Sequence, residues 1–259
     1  MVKIIPLTEL MTGTSCLFFA GMWLYVRYRT RKAHMTVAPS LKYLTNYFGW
    51  LAIFVFIMTV PYLWLSVSPA AFSTAMAWGY VVGHIFLYIS FMYIALMVCE
   101  LLPSLNNKIP LVVTVFLLAD VVTTIINAKT MIWGIQPVYD AAHNLTYLQP
   151  AAAVGAAIGI MSLLSIFPAI ILFAQNAFRS KGARRLKSVL MVVGFALIMV
   201  GGPLNDNSHT TTMYLAAVII VILGDLILGT GVGFRLESGL ADAPAPVPSP
   251  AKIASSNTV

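Results

Sequence analysis

The chain has 259 residues, of which 60% are hydrophobic and only 9% are charged. Soluble domains carry about 25% charged residues, so this composition excludes an ordinary water-facing surface and predicts a protein embedded in a lipid bilayer. The net charge of +7 lies in short links between apolar stretches. It therefore reports on membrane orientation, and a basic nucleic-acid-binding face is excluded.

Seven apolar stretches are predicted to be membrane-spanning helices, since a helix of about 20 residues crosses the hydrocarbon layer. They cover residues 7–27, 44–67, 76–101, 110–128, 151–177, 188–203 and 212–233. The expected fold is an all-α integral membrane protein, a seven-transmembrane-helix bundle over residues 1–235. The third stretch, 76–101, is expected to be central in it. The Ala- and Pro-rich residues 236–259 are predicted to form a disordered tail.

The basic residues indicate the orientation of the chain. All but Lys3 and Lys129 of the 15 basic residues lie in four segments: the links after the first, third and fifth spans, and the part after the seventh. Basic links resist translocation, so this side is predicted to be cytoplasmic, with the N-terminus outside and the C-terminus inside. The expected location is the cell membrane, as a multi-pass protein.

The long external link, residues 129–150, is rich in aromatic side chains and is predicted to form a short amphipathic or hairpin segment over the mouth of the bundle. Small residues four apart, Gly155 with Gly159 and Gly229 with Gly233, are typical of close helix contacts. Those contacts lie within the bundle or between copies of a homo-oligomer.

Signatures of an enzyme, a metal site or a cofactor are missing from the sequence. Neither HExxH nor GxSxG occurs, and Cys16 and Cys99 form no CxxC pair. A bis-histidine haem needs two histidines at membrane depth, and His84 is the only one in a predicted span. We therefore expect no catalytic activity, no metal and no cofactor.

Four ionisable residues in the predicted spans are candidates for function: His84, Glu100, Asp120 and Asp225. Burying a charge in a bilayer is costly, so such residues usually face the bundle interior or a site. Tyr88 joins them because it follows His84 by one helical turn. We expect His84, Tyr88, Asp120 and Asp225 to be ligand-binding or proton-linked. The competing interpretation for each of them is a structural role in helix packing.

Glu100 is predicted to have a different role. Sixteen residues separate it from His84, which places the two side chains about 160° apart around an ideal helix, so they cannot share one face. We expect Glu100 to be a carboxylate at the cytoplasmic interface, close to Lys108 or to the basic links.

The layout loosely resembles that of the microbial rhodopsins. The run ELLPSLNNKIPLVVTVFLLAD, from Glu100 to Asp120, is similar to the passage between their third and fourth helices. The segment GDLILGTGVGF, with Asp225, is similar to their last helix. The family's retinal-binding lysine would fall at Gly229, and no lysine lies in any predicted span. The resemblance therefore implies the bundle layout, and a retinal pump is excluded.

The sequence favours a seven-helix receptor- or sensor-like protein that binds a small apolar or amphipathic ligand within the bundle. Because no output domain is recognisable, its signal would pass to a separate protein partner at the cytoplasmic face. Two alternatives stay open. One is a proton-coupled transporter that uses Asp120 and Asp225, and the other is a non-catalytic subunit of a larger membrane complex.

Overall fold

A computed structural model describes residues 7–32, 39–62, 69–134, 138–140, 142, 145–147, 150–206 and 210–241. It contains seven long helices: α1 (Leu7–Lys32), α2 (Pro39–Thr59), α3 (Pro69–Leu101), α4 (Ile109–Asn127), α5 (Ala152–Arg179), α6 (Gly182–Asp206) and α7 (Thr211–Ala241). A short 3₁₀ segment, Pro103–Lys108, leads into α4, and a π-helical turn, Ala128–Ile132, follows it. The helical bundle expected from the sequence is confirmed.

Six helical stretches are long and apolar enough to cross a membrane, which makes a multi-pass membrane protein the natural interpretation. They correspond to α2 through α7. Among the described residues, α1 does not reach the same hydropathy, because Thr12, Thr14 and Ser15 interrupt its first half. Whether α1 also spans the membrane therefore stays a prediction, and so does the orientation of the termini.

Six of the helices form a closed ring. The neighbouring pairs are α1–α2, α2–α3, α3–α5, α5–α6, α6–α7 and, with the smallest contact, α7–α1. The fourth helix lies outside the ring and packs mainly on α3. As predicted, α3 is central. In the apolar window of its span 67% of the residues are buried, whereas in that of the span that contains α4 17% are buried.

The outer surface of the bundle is strongly apolar. On α4 the side chains of Leu111, Leu118, Val121 and Ile125 are all exposed, and α5 presents a similar face with Leu163. A water-soluble protein rarely exposes so large an apolar patch, whereas a lipid-facing surface needs one. This distribution is the structural counterpart of the low charged fraction in the sequence.

Two glycines bring α6 and α7 into direct backbone contact. A Cβ atom added at Gly194 would lie 2.8 Å from the backbone nitrogen of Leu228 and 2.9 Å from the carbonyl oxygen of Gly224. A Cβ atom at Gly224 would in turn lie 3.0 Å from the carbonyl oxygen of Gly194. Neither position has room for a side chain, so the helix pair with the most extensive contact in the bundle depends on both glycines.

The small-residue contacts predicted from sequence have mixed outcomes. Gly229 of α7 is buried, and a Cβ there would lie 3.0 Å from both Phe18 and Met22 of α1, which confirms an internal contact. At Gly155 and Gly159 of α5, a Cβ would meet no described atom within 4 Å. Their face is therefore open, and Gly233 lies outside the residues whose side chains are described.

The connection between α4 and α5 contains a short antiparallel hairpin, as predicted. Its strands are β1 (Val138–Asp140) and β2 (Leu145–Tyr147), with Tyr139 opposite Thr146. At the other end of the chain, α7 continues to Ala241, so the helix passes the boundary predicted at residue 235. The remainder of the predicted tail, residues 242–259, lies outside the described residues.

Candidate functional site

A cavity of about 230 Å³ lies inside the ring of six helices. All six ring helices contribute to its wall, and α4 does not. Most of the lining residues come from the first halves of α1, α3, α5 and α7 and from the second halves of α2 and α6. Because consecutive helices run in opposite directions, these halves share one end of the bundle, the end at which α1 begins.

Asp225 is the carboxylate of this cavity. It lies on α7, lines the cavity wall and is only 2% exposed. Neither of its carboxylate oxygens has a hydrogen-bond partner among the described residues. An ionised or polar group that is buried without a partner is costly, so a native structure normally keeps one for a reason other than stability.

His84 faces the same cavity from α3 and is 3% exposed. Its Nδ1 atom lies 2.7 Å from the backbone carbonyl oxygen of Tyr80, one turn earlier. A carbonyl oxygen only accepts hydrogen bonds, so Nδ1 carries the proton and donates it. In the neutral imidazole, Nε2 is then an acceptor.

Aromatic rings hold the imidazole in place. The ring of Tyr80 packs on that of His84 with a centroid distance of 3.9 Å, and Phe54 of α2 contacts it edge-on at 5.5 Å. Three further tyrosines, Tyr47, Tyr62 and Tyr214, line the cavity. Tyr47 is fully buried, and it is close enough to Asp225 for an electrostatic interaction between the two side chains. The wall is therefore mainly apolar and aromatic with a few polar groups, the usual make-up of a small-molecule pocket.

The other two predicted ligand-binding residues are not among those that line the cavity. Tyr88 is 1% exposed and belongs to the main hydrophobic core. Asp120 is buried on α4, outside the ring, and its Oδ1 accepts a 3.2 Å hydrogen bond from the hydroxyl of Thr124. The structure thus places His84 and Asp225 on the wall of one cavity, and it places Tyr88 and Asp120 elsewhere.

Glu100 lies in the last turn of α3 and is partly buried. It is at the opposite end of the bundle from the cavity, close in sequence to the exposed Lys108. His84 and Glu100 therefore lie at different levels of α3, and the predicted angle of about 160° between them stays a prediction.

Several polar lining residues were not singled out from the sequence. Ser162 of α5 and Asn205 of α6 both line the cavity, and Asn205 Oδ1 has no hydrogen-bond partner in the described part of the chain. Serine, asparagine and tyrosine are common in membrane helices and near their ends, so nothing in the sequence distinguishes these three types of residue from packing residues. Only the arrangement of the helices in the ring shows which of them line the cavity.

The described residues contain no cluster of three or more His, Cys, Asp or Glu side chains that could hold a metal ion. Cys16 and Cys99 are both free thiols. Comparison with protein-family models, with curated proteins and with solved structures finds no match for this chain. The functional argument therefore depends on the cavity itself.

Proposed function

We propose that the protein is a receptor- or sensor-like membrane protein that binds a small amphipathic ligand in the cavity of the six-helix ring. The observation that carries the proposal is that His84 and Asp225 line the same largely apolar cavity, and that the carboxylate of Asp225 has no hydrogen-bond partner among the described residues. Such a combination suits a ligand with an apolar body and a small polar group.

The cavity size limits the ligand. A volume of about 230 Å³ equals that of about eight liquid water molecules, so a ligand with roughly ten non-hydrogen atoms fits. Met58, Met76, Leu87 and Val218 line the cavity and would contact the apolar part of such a ligand. His84 and Asp225 would fix its orientation.

Two helices support transmission to the opposite end of the bundle. The central helix α3 carries His84 at the cavity and Glu100 in its last turn. The last helix, α7, carries Asp225 at the cavity and continues to Ala241, beyond the end of its apolar span at Val232. A ligand that shifts either helix at the cavity moves its far end, where a protein partner would respond.

The proposed orientation places the cavity in the outer half of the membrane. The exposed basic residues Lys42, Lys108, Arg179 and Arg184 lie at the end opposite the cavity, which is cytoplasmic under the positive-inside rule. In this arrangement α1 also crosses the membrane, which makes seven spans in total. The N-terminus is then outside and the C-terminus is in the cytoplasm. The ligand would then arrive from outside the cell membrane or from its outer leaflet.

A subunit role in a larger membrane complex is the second candidate. The open face at Gly155 and Gly159 favours it, because small residues on a lipid-facing helix allow another helix to approach closely. The proton-coupled transporter has less support. Its two aspartates do not share a path here, since Asp225 lines the cavity and Asp120 lies on the helix outside the ring.

The test uses the small molecules that purify with the full chain from its native membrane. We expect mass spectrometry of a solvent extract to detect a stoichiometric small molecule. The variant Ser162→Leu, which fills part of the cavity, should lose it. Leu163→Phe, a substitution of similar size on the exposed face of the same helix, should retain it. Equal retention by both variants, or an extract with no such molecule, would contradict a ligand-binding cavity.

A further inference from the structure

The geometry points to a small organic cation, an amine or substituted ammonium, as the ligand of this cavity, with Asp225 as its counter-charge. This inference rests on the proposed function and specifies the chemistry of the ligand. It starts from the 2% exposed carboxylate of Asp225, which faces the cavity and has no hydrogen-bond partner among the described residues.

The described part of the wall holds the carboxyl group of Asp225 and no permanently charged side chain. No lysine or arginine occurs among the described residues that line the cavity, and the other ionisable side chains there are His84 and tyrosines. A buried carboxylate is normally paired with a positive group or coordinates one. Since the wall provides no lysine or arginine for that purpose, a ligand with a fixed positive charge is the complementary partner.

Beside the hydroxyl groups of its Ser, Thr and Tyr residues, the cavity presents several polar atoms that can only accept hydrogen bonds. Asp225 offers two carboxylate oxygens, Asn205 offers Oδ1, and the neutral imidazole of His84 offers Nε2 because Nδ1 is committed to the carbonyl of Tyr80. An ammonium group carries up to three N–H donors and accepts no hydrogen bonds. A carboxylate or phosphate ligand has no N–H group to donate to these atoms.

The aromatic wall favours an organic cation over a metal ion. Tyr47, Tyr80 and Phe54 surround the polar groups, and an ammonium group is attracted to the face of such rings. Hard metal ions need about six oxygen ligands in a compact shell. Asp225 is the only carboxylate among the described lining residues, and the rest of the wall is largely apolar.

The experiment compares matched probes on the full chain in nanodiscs of uncharged phosphatidylcholine. 2-Phenylethylamine carries the positive charge, 2-phenylethanol is its neutral counterpart of the same size, and sodium and calcium chloride test inorganic cations. Isothermal titration should show 2-phenylethylamine binding at least about tenfold more tightly than 2-phenylethanol, because the amine gains a buried charge pair. The two salts should not compete with it.

Three variants locate the effect. Asp225→Asn should remove the preference for the amine, and Asp225→Glu, which keeps the charge, should retain it. Asp120→Asn is the matched control, since the same change is made to a buried aspartate that does not line the cavity. It should leave the preference unchanged. The Asp225→Glu result also shows whether a loss in Asp225→Asn reflects charge rather than damage to the fold.

The inference is overturned if the alcohol binds as tightly as the amine, if the preference survives in Asp225→Asn, or if sodium or calcium displaces the amine. It is also overturned if neither organic probe binds the native chain. None of these results decides the proposed function. That function is tested by whether Ser162→Leu loses the small molecule that purifies with the native protein.

Discussion

Two buried aspartates of the same membrane bundle have different surroundings. Asp120 lies on α4, the helix outside the ring, and its carboxylate is bonded to Thr124 one turn later in the same helix. Asp225 lies inside the ring on α7, faces a cavity and has no hydrogen-bond partner among the described residues. The comparison shows that burial in an apolar helix does not by itself leave a carboxyl group without a hydrogen-bond partner. What distinguishes the two is whether the helix itself satisfies the group.

The ring and α4 should also differ in how much their side chains contribute to stability. Phe195 of α6 is fully buried and stacks on Phe173 with a centroid distance of 6.2 Å, whereas Leu118 of α4 is 61% exposed. We expect Phe195→Ala to lower the free energy of unfolding by about 3 kcal/mol, through lost packing and a cavity. Leu118→Ala should change it little. Unfolding by SDS titration in mixed micelles measures both; equal effects would remove the distinction between ring and outer helix.

The glycine contact within the ring gives the next largest effect. Gly194→Ala places a methyl group within 3 Å of the α7 backbone, so the helices must separate, and we expect a loss of about 2 kcal/mol. Gly155→Ala, at the open face of α5, is the matched control. It should stabilise the protein by about 0.5 kcal/mol, because alanine is the better helix former. Opposite signs in the same unfolding assay are the expected result, and a tolerated Gly194→Ala would contradict the close contact.

Asp225 itself should reveal a conflict between stability and binding. Asp225→Leu removes an unpartnered buried carboxylate and fills the space with an apolar group of similar size. We expect the free energy of unfolding to rise by about 1 kcal/mol while the preference for 2-phenylethylamine is lost. Thermal unfolding with and without the amine measures both quantities. A clear loss of stability would mean that Asp225 supports the fold instead.

The smallest expected effect belongs to the bond inside α4. Thr124→Val keeps the shape of the side chain and removes the hydroxyl that Asp120 accepts from. Hydrogen bonds between membrane residues contribute about 0.6 kcal/mol on average, so we expect a loss of that order and no change in amine binding. A change in amine binding would link the outer helix to the cavity and revive a shared role for the two aspartates.

The helices were predictable because they depend on local composition. Six of the seven predicted spans correspond to α2 to α7, with ends that differ by up to eight residues, and α3 has the central position that the sequence predicts. The end of α7 differs from the prediction, since the mixed segment LESGLA after residue 235 still forms helix up to Ala241. Apolar composition predicts which residues can lie in the bilayer. It is less informative about where a helix ends once it has left the bilayer.

The site was only half predictable. His84 and Asp225 stand out because ionisable residues are rare in apolar helices. The same criterion also selects Asp120, and the spacing from His84 selects Tyr88. Neither residue lines the cavity. Which residues meet depends on the order of helices around the ring and on the exclusion of α4 from it. These are long-range properties that helical spacing within one segment does not determine.

Gly229 has a consequence for attempts to install a pigment in this bundle. The position lies one turn after Asp225, where the sequence resemblance to the microbial rhodopsins would put their retinal-binding lysine. Here it is a contact surface: Phe18 and Met22 of α1 lie 3.0 Å from where its Cβ would be. A lysine introduced there would have to displace α1 before it could reach a chromophore. Engineering a light-responsive variant would therefore require redesign of two helices, and a single exchange at Gly229 would not suffice.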